Sequence, residues 1–301
     1  MRKSPLPTLL LGLLISLPAL AFPSFNEGRA WEDLLAQCDM GPRNPGSPGH
    51  KLCGEWIARS LEDLGYEVER HRFQKADPYG PDSLSLVNIR ARMPGADGLP
   101  VAFAAHWDTR PRAEMEKEKA RRKLPIPGAS DGASGVAVLM ELARICAEVP
   151  PPLPVEFLFF DGEDYGKAGE REHFLLGSRT FVEDHPSWTC RLLLLVDLVG
   201  GKNLKLPMEA YSLAALPQEM ALIYSLAAEL GLPAFLPRRG TAVWDDHVPF
   251  LEKGIPAIDL VDLEYRYWHT LEDRPENCSP NSLLQVGTLL LALLYESLPS
   301  W

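Results

Sequence analysis

The chain has no Cys-x-x-Cys pair, no surplus of basic residues, no internal repeat and no low-complexity segment. Its five cysteines, Cys38, Cys53, Cys146, Cys190 and Cys278, stand singly, which argues against a thiolate zinc site. An oxidising compartment would permit disulfides, with Cys38 and Cys53 the nearest pair in sequence, and the odd count leaves one thiol over. Cys146 ends an apolar helical stretch and reads as buried and inert. Lysine and arginine number 30 against 41 acidic residues, a formal charge of −11. That balance argues against nucleic acid or anionic membranes as partners. After the first twenty residues no apolar run is long enough to span a bilayer. The longest, Leu283 to Tyr295, reads as a core helix.

The N-terminus reads as an export signal over residues 1–21. Arg2 and Lys3 supply the positive start, Leu9 to Leu20 the apolar core, and Ala19-Leu20-Ala21 a small-x-small cleavage site. An uncleaved membrane tether is the alternative. Cleavage would remove two positive charges and leave 280 residues carrying −13, expected to form a single zinc-dependent domain over 22–301 in the periplasm or outside the cell.

Apolar periodicity supplies the fold. Val101–Ala105, Val155–Phe160, Leu192–Val196 and Ala257–Val261 are short continuous apolar runs, as in strands buried on both faces of a parallel sheet. Helical stretches at 133–147, about 176–184, about 216–230 and about 280–297 alternate with them. Upstream, GPRNPGSPG at 41–49 is a turn. A helix follows over about 50–64, with Leu52, Trp56, Ile57, Ser60, Leu61 and Leu64 on one face. Tyr66–Phe73 and Leu84–Met93 read as an edge hairpin. The expected fold is a three-layer α/β sandwich: a central mixed, mainly parallel sheet with helices on both faces.

Open α/β sheets bind ligands at the carboxyl ends of their strands. Here those ends carry His106-Trp107-Asp108, Asp161-Gly162-Glu163-Asp164, Asp197 and, slightly later, Trp268-His269, while Asp131 opens the helix after the first run. Asp131, Asp164 and His269 make a three-ligand zinc site with one open position. His106 and Asp197 are supporting residues or ligands of a second metal. Glu163, beside Asp164, is placed to carry protons. Each alone has a plainer reading: Asp131 as a helix N-cap, the 161–164 segment as a solvated turn, Asp245-Asp246-His247 as a capping cluster. Their co-occurrence at strand ends favours the metal site. The charge-dense stretch Arg110–Lys123 reads as an exposed rim.

The ordered segments HWDTR (106–110), PGASDGASGVAVLMELAR (127–144), FLFFDGEDYG (157–166), LLGSR (175–179), LLVDLVGG (194–201), DDHVPFLEKGIPAIDL (245–260) and YWHTLEDRPEN (267–277) resemble the animal-type glutaminyl-peptide cyclotransferases. That family shares a fold with co-catalytic zinc aminopeptidases, and the likeness spans about 41–297. The doubled acid before His247 and the Trp before His269 lean toward the cyclases. The resemblance implies one zinc on Asp131, Asp164 and His269, and Glu163 as proton shuttle. It makes Asp197 and Asp245 the acidic pair that orients the substrate amine, and Trp268 a wall of the pocket. The implied reaction turns N-terminal Gln, and weakly Glu, of peptides into pyroglutamate, with ammonia leaving from Gln. No nucleic acid, no stable membrane insertion and a monomer are expected. Animal cyclases carry Glu where this chain has Asp164, so the loop must approach the metal more closely. The alternative is an aminopeptidase with two zincs, His106 and Asp197 completing the second site.

Overall fold

Residues 22–95 and 97–300 are described by a computed structural model; the expected leader at 1–21 lies outside them. The elements run α1 (Glu27–Asp39), α2 (Pro48–Asp63), β1 (Glu67–Ala76), β2 (Ser83–Arg92), β3 (Val101–His106), α3 (Ala133–Glu148), β4 (Val155–Phe160), α4 (Leu176–Asp184) and β5 (Leu192–Asp197). They continue through β6 (Leu206–Met208), α5 (Ala210–Ala215), α6 (Pro217–Glu229), β7 (Phe235–Arg239), α7 (Val248–Glu252), β8 (Ala257–Val261) and α8 (Pro280–Ala292). The main sheet has the order β1-β2-β4-β3-β5-β8. The hairpin β1–β2 is antiparallel and joins β4 antiparallel, while β4, β3, β5 and β8 are mutually parallel. The expected mixed, mainly parallel sheet is therefore the observed one.

Burial on both faces explains the unbroken apolar runs. Phe103, Ala105, Phe157, Phe159, Leu194 and Val196 point into a core shared with α1, α3, α6 and α8. Their neighbours Ala102, Ala104, Leu158, Phe160, Leu193 and Leu195 face the opposite layer, where Phe181 of α4 and Phe250 of α7 cover them. A period-two alternation is present, but both phases are apolar, so the sequence shows a run.

Several local expectations change. The last helix is α-helical only to Ala292 and continues as a π-turn over Leu293–Ser297. Leu52 is 58% exposed. Helix α2 instead turns His50, Cys53, Gly54, Ile57 and Leu61 inward, with Gly54 set so close to the Trp107 indole that a Cβ there would meet it at 3.0 Å. Helix α1, outside the expected elements, packs Ala30 and Leu34 into the core, and ion pairs also fasten it to α3. Arg144 grips Asp33 at 2.5 and 2.8 Å, and Arg29 reaches buried Glu141 at 2.7 Å. The parallel pair β6–β7 is too short for a periodic pattern to register. All five cysteines are free thiols. No described helix is long and apolar enough to cross a membrane.

The strand order places a topological switch between β3 and β5. The chain leaves β3 toward β4 and leaves β5 toward β8, so a crevice opens at their carboxyl ends. Gly135 lets α3 pack against that edge, since a Cβ there would sit 2.3 Å from the Val196 carbonyl oxygen. Gly135→Ala is therefore expected to lower the melting temperature, although the same change in an exposed helix stabilises by about 1 kcal/mol. Thermal denaturation decides, and a raised melting temperature would contradict the packing.

Candidate active site

Five strand-end or loop segments converge on the crevice. His106 ends β3, and its Nε2 lies 3.0 Å from Asp197 Oδ1 at the end of β5 and 3.4 Å from Asp131 Oδ1. Asp131 precedes α3, but Gly132 occupies the cap position and no side chain caps that helix. The N-cap reading of Asp131 fails, and its carboxylate turns into the crevice instead. Its Oδ2 lies 3.7 Å from His269 Nε2, which lies 3.5 Å from Asp164 Oδ2. The turn after β4 is not solvated: Asp161 and Asp164 are buried, and Glu163 keeps 13% of its side chain exposed.

Two donor sets result, each with its ligand atoms within 4.8 Å of one another: Asp131, Asp164 and His269, and His106, Asp131 and Asp197. Asp131 belongs to both, with one oxygen toward each histidine. The sets differ in how far their atoms are already engaged. In the second, His106 and Asp197 hydrogen-bond to each other. In the first, none of the three side chains hydrogen-bonds another, and buried Asp164 Oδ2 has no partner at all. An imidazole nitrogen and two carboxylates around an orphaned oxygen match a zinc donor set.

The electrostatics follow from burial. Desolvation, then neighbouring Asp164, raises Glu163 well above the usual carboxylate range. Asp164 is raised likewise by burial, with Arg110 opposing. Burial and then the Asp197 charge push Asp245 up to about 7. Burial opposes the charged form of Asp131, but His106 outweighs it and holds the group below its ordinary value. Burial, with the Arg110 charge adding, lowers His269 to about 3, leaving a neutral imidazole suited to a metal.

A second set of residues holds these groups in place. Asp108 accepts from the amides of Glu163 at 3.1 Å and Asp164 at 3.4 Å. Asp273 accepts from the amides of Ser130 and Asp131 at 2.8 and 3.1 Å and from the Tyr265 hydroxyl. Buried Arg43 donates to the carbonyls of Gly128, Pro127 and Trp107. His50 meets both oxygens of Asp161 at 2.8 and 3.0 Å and stacks on Trp107. Arg43 comes from the 41–49 turn and His50 from the first turn of α2, whose place near the site sequence spacing does not disclose.

Arg110 corrects one expectation. The stretch 110–123 is not uniformly an exposed rim: Arg110 is 1% exposed, pairs with Asp164 Oδ1 and Glu114, and lies over the Phe174 ring. Trp268 stacks on the His269 ring at 3.9 Å. His269 itself adopts a left-handed backbone, φ 55°, as do Leu198 after β5 and Leu175 before α4. Asp245 and Asp246 are buried, with Asp246 accepting from Ser178 Oγ at 2.5 Å. His247, not an acidic side chain, stands at the α7 cap, so the DDH segment is not a capping cluster.

In metal-free protein the raised carboxyls set a pH dependence. Unfolded Asp245 releases its proton near 3.8 and folded Asp245 near 7, so between these values the native state holds a proton that the unfolded chain has lost. The Asp245 contribution is then full below about 4 and declines as pH rises to about 7. Glu163, Asp164 and Asp246 add in the same direction, while His269, lowered to about 3, works against them between about 3 and 6.5. Urea midpoints of metal-stripped protein are expected to fall over this window; a rise would contradict the assignment.

The profile of peptidase family M28 matches residues 88–294. A glutaminyl cyclase of Bacteroides thetaiotaomicron, solved bound to N-acetylhistamine, is 32% identical, covers 91% of this chain and 99% of its own, and superposes with a TM-score of 0.86. A structure described as a leucine aminopeptidase precursor from the same organism is 31% identical over 92% of this chain and 99% of its own, with a TM-score of 0.87. The glutaminyl-peptide cyclotransferase of Boiga irregularis is 28% identical over 313 residues, 91% of this chain and 82% of that protein. The chain belongs to peptidase family M28 and, within it, resembles the glutaminyl-peptide cyclotransferases.

Proposed function

We propose that this chain cyclises the N-terminal Gln of peptides, and weakly Glu, to pyroglutamate, releasing ammonia in the Gln reaction. One zinc would be held by Asp131, Asp164 and His269, with Glu163 as the proton shuttle. The observation that carries the reading is the acidic crevice around Glu163. This carboxyl is next to the ligand Asp164 in the chain, is raised first by burial and then by the Asp164 charge, and lies 4.0 Å from His106, which bonds Asp197 on its other nitrogen.

A zinc on that donor set supplies Lewis-acid polarisation of the side-chain amide carbonyl and stabilises the charge that develops on its oxygen. The protein's own groups do the rest. Asp197 and Asp245 accept hydrogen bonds from the substrate's α-amine and turn its nitrogen toward the side-chain carbonyl carbon. A new C–N bond closes the five-membered ring. Glu163 takes a proton from that nitrogen and returns it to the departing amide nitrogen, and the old C–N bond breaks as ammonia leaves. A carboxyl with a raised pKa suits both halves of this exchange, because it holds the proton long enough to return it. Trp268, stacked on His269, supplies a flat wall for the glutamine side chain. Arg110 keeps one oxygen of Asp164 occupied, so the other is the one free for the metal. The leader-like residues 1–21 support a reaction carried out outside the cytoplasm, and a monomer would suffice for it.

A second reading is a two-metal aminopeptidase that hydrolyses N-terminal residues. The donor set His106, Asp131 and Asp197 favours it, as does the similarity to the aminopeptidase precursor. Against it stands the existing His106–Asp197 hydrogen bond, which a second metal must displace.

Incubating purified protein with Gln-led and Leu-led peptides, with products followed by mass and zinc counted per chain, tests the two together. Ammonia from Gln peptides and one zinc are expected. Trimming of Leu peptides with two zincs overturns the cyclase reading. Glu163→Gln is expected to lower kcat about 10²–10⁴-fold while zinc content stays unchanged; a variant that keeps wild-type turnover removes Glu163 from the mechanism.

A further inference from the structure

The segment that carries Asp245 meets a buried polar cluster that the proposed reaction does not use. Glu209, just before α5, is 1% exposed, and His247 and Asp259 are fully buried. The Glu209 carboxylate gathers donors from two separated segments. Oε1 accepts from the amides of Tyr211 at 2.8 Å and Val243 at 2.9 Å. Oε2 accepts from the Ser212 amide at 2.6 Å and the Ser212 hydroxyl at 2.7 Å, and faces His247 Nε2 at 3.3 Å. Ser212 Oγ in turn accepts from the Asp259 amide of β8 at 3.0 Å, and the Asp259 carboxylate lies 3.8 Å from His247 Nδ1. Four hydrogen bonds fill the lone-pair directions of one carboxylate. Burial works against its charge, yet His247 and the Ser212 and Tyr211 amides hold Glu209 down to about 2.

The segment from Thr241 to His247 has no regular secondary structure, yet it carries Asp245 into the crevice. Trp244 packs against Tyr211 and under the Arg171 and Arg179 guanidinium groups, and Val243 packs against the cluster of Leu198, Val261 and Tyr265. The segment's polar attachments are specific. The Thr241 carbonyl accepts from Ala210 N, Val243 N and His247 reach Glu209, and the Asp246 side chain reaches Ser178 of α4. Two of these attachments run to one carboxylate.

We infer that Glu209 is a positioning residue for the reaction: through Val243 and His247, with Asp259 on the far side of the ring, it fixes the 243–247 segment so that Asp245 meets the substrate's α-amine. This rests on the reading that Asp245 receives that amine. Glutamine cannot replace Glu209, because its NH2 group would face backbone N–H donors whichever way the amide turned. Asp245 would then shift, and misplacement by about 1 Å costs on the order of 10²-fold in rate.

A double-mutant cycle on the full-length zinc enzyme tests this, with Gln-led peptide as substrate and ammonia as readout. Glu209→Gln is expected to lower kcat/KM by about 10²-fold, while zinc content stays that of wild type. If Glu209 acts through Asp245, adding Glu209→Gln to Asp245→Ala lowers kcat/KM by no more than about twofold beyond Asp245→Ala alone. Full additivity assigns Glu209 a purely structural role and overturns the inference, as does wild-type kinetics in the single variant. Should Glu209→Gln not fold, Ser212→Ala removes one of the four donors and is carried through the same cycle. Its loss must again vanish in the Asp245→Ala background. A wild-type protein that releases no ammonia but trims Leu-led peptides fails the cyclase reading instead. The cycle is then run on that hydrolysis, which also has a free amine to place, with the same outcomes deciding.

Discussion

Buried negative charge governs this molecule. Asp131, Asp164, Asp197, Asp245 and Asp246 lie at or near the carboxyl ends of the sheet with Glu163 beside them, and among the cationic groups inside, His106 and Arg110 stand against them directly. Taking a carboxylate out of water is costly unless it is paired, protonated or bound to a metal. Two of those solutions appear: Arg110 pairs with Asp164, His106 pairs with Asp197 and holds Asp131 low, and Glu163, Asp245 and Asp246 are pushed toward the protonated form. A divalent cation among Asp131, Asp164 and His269 would answer the same demand.

The scaffold must hold those charges together against their repulsion. It does so chiefly through main-chain hydrogen bonds. Asp108 grips two successive amides of the 161–164 turn, Asp273 grips two at the entrance to α3, and Arg43 ties three carbonyls. Left-handed backbone at Leu175, Leu198 and His269 costs about 1–3 kcal/mol each. Each of these residues flanks a segment that delivers a polar side chain. Leu175 N donates to the Glu163 carbonyl at 2.9 Å, and the His269 carbonyl accepts from Met115 N at 3.1 Å, so the surrounding structure enforces the unusual geometry.

One scaffold of this kind serves more than one reaction. The three donors around the orphaned oxygen of Asp164 suit either a cyclase or a peptidase. On the proposed reading the two chemistries would part on whether Asp197 stays bonded to His106 and, with Asp245, receives an amine, or turns to a second metal. The fold does not choose between them, since a glutaminyl cyclase and a structure described as an aminopeptidase precursor superpose on this chain about equally well.

The strands were legible because burial on both faces leaves an unbroken apolar run, and the candidate ligands because they stand in the segments that follow such runs. Helix α1 was not among the expected elements, although Ala30 and Leu34 give it an apolar side; its charged pairs with α3 join distant segments that no local pattern marks. Nor was the buried state of Arg110, whose charged sequence neighbours resemble a solvated loop. Asp273, Arg43 and Glu209 act on amides, carbonyls and rings far away in the chain, and no local pattern marks a carboxylate that will accept from a distant N–H. Sequence alone thus determined the sandwich, the strand-end residues and the donor types, because these depend on residue type and spacing along one segment. Only the tertiary structure decided that Asp131 faces two histidines, that Asp164 keeps one oxygen free, and that Glu209 meets the segment carrying Asp245, because each depends on which distant segments share a buried space.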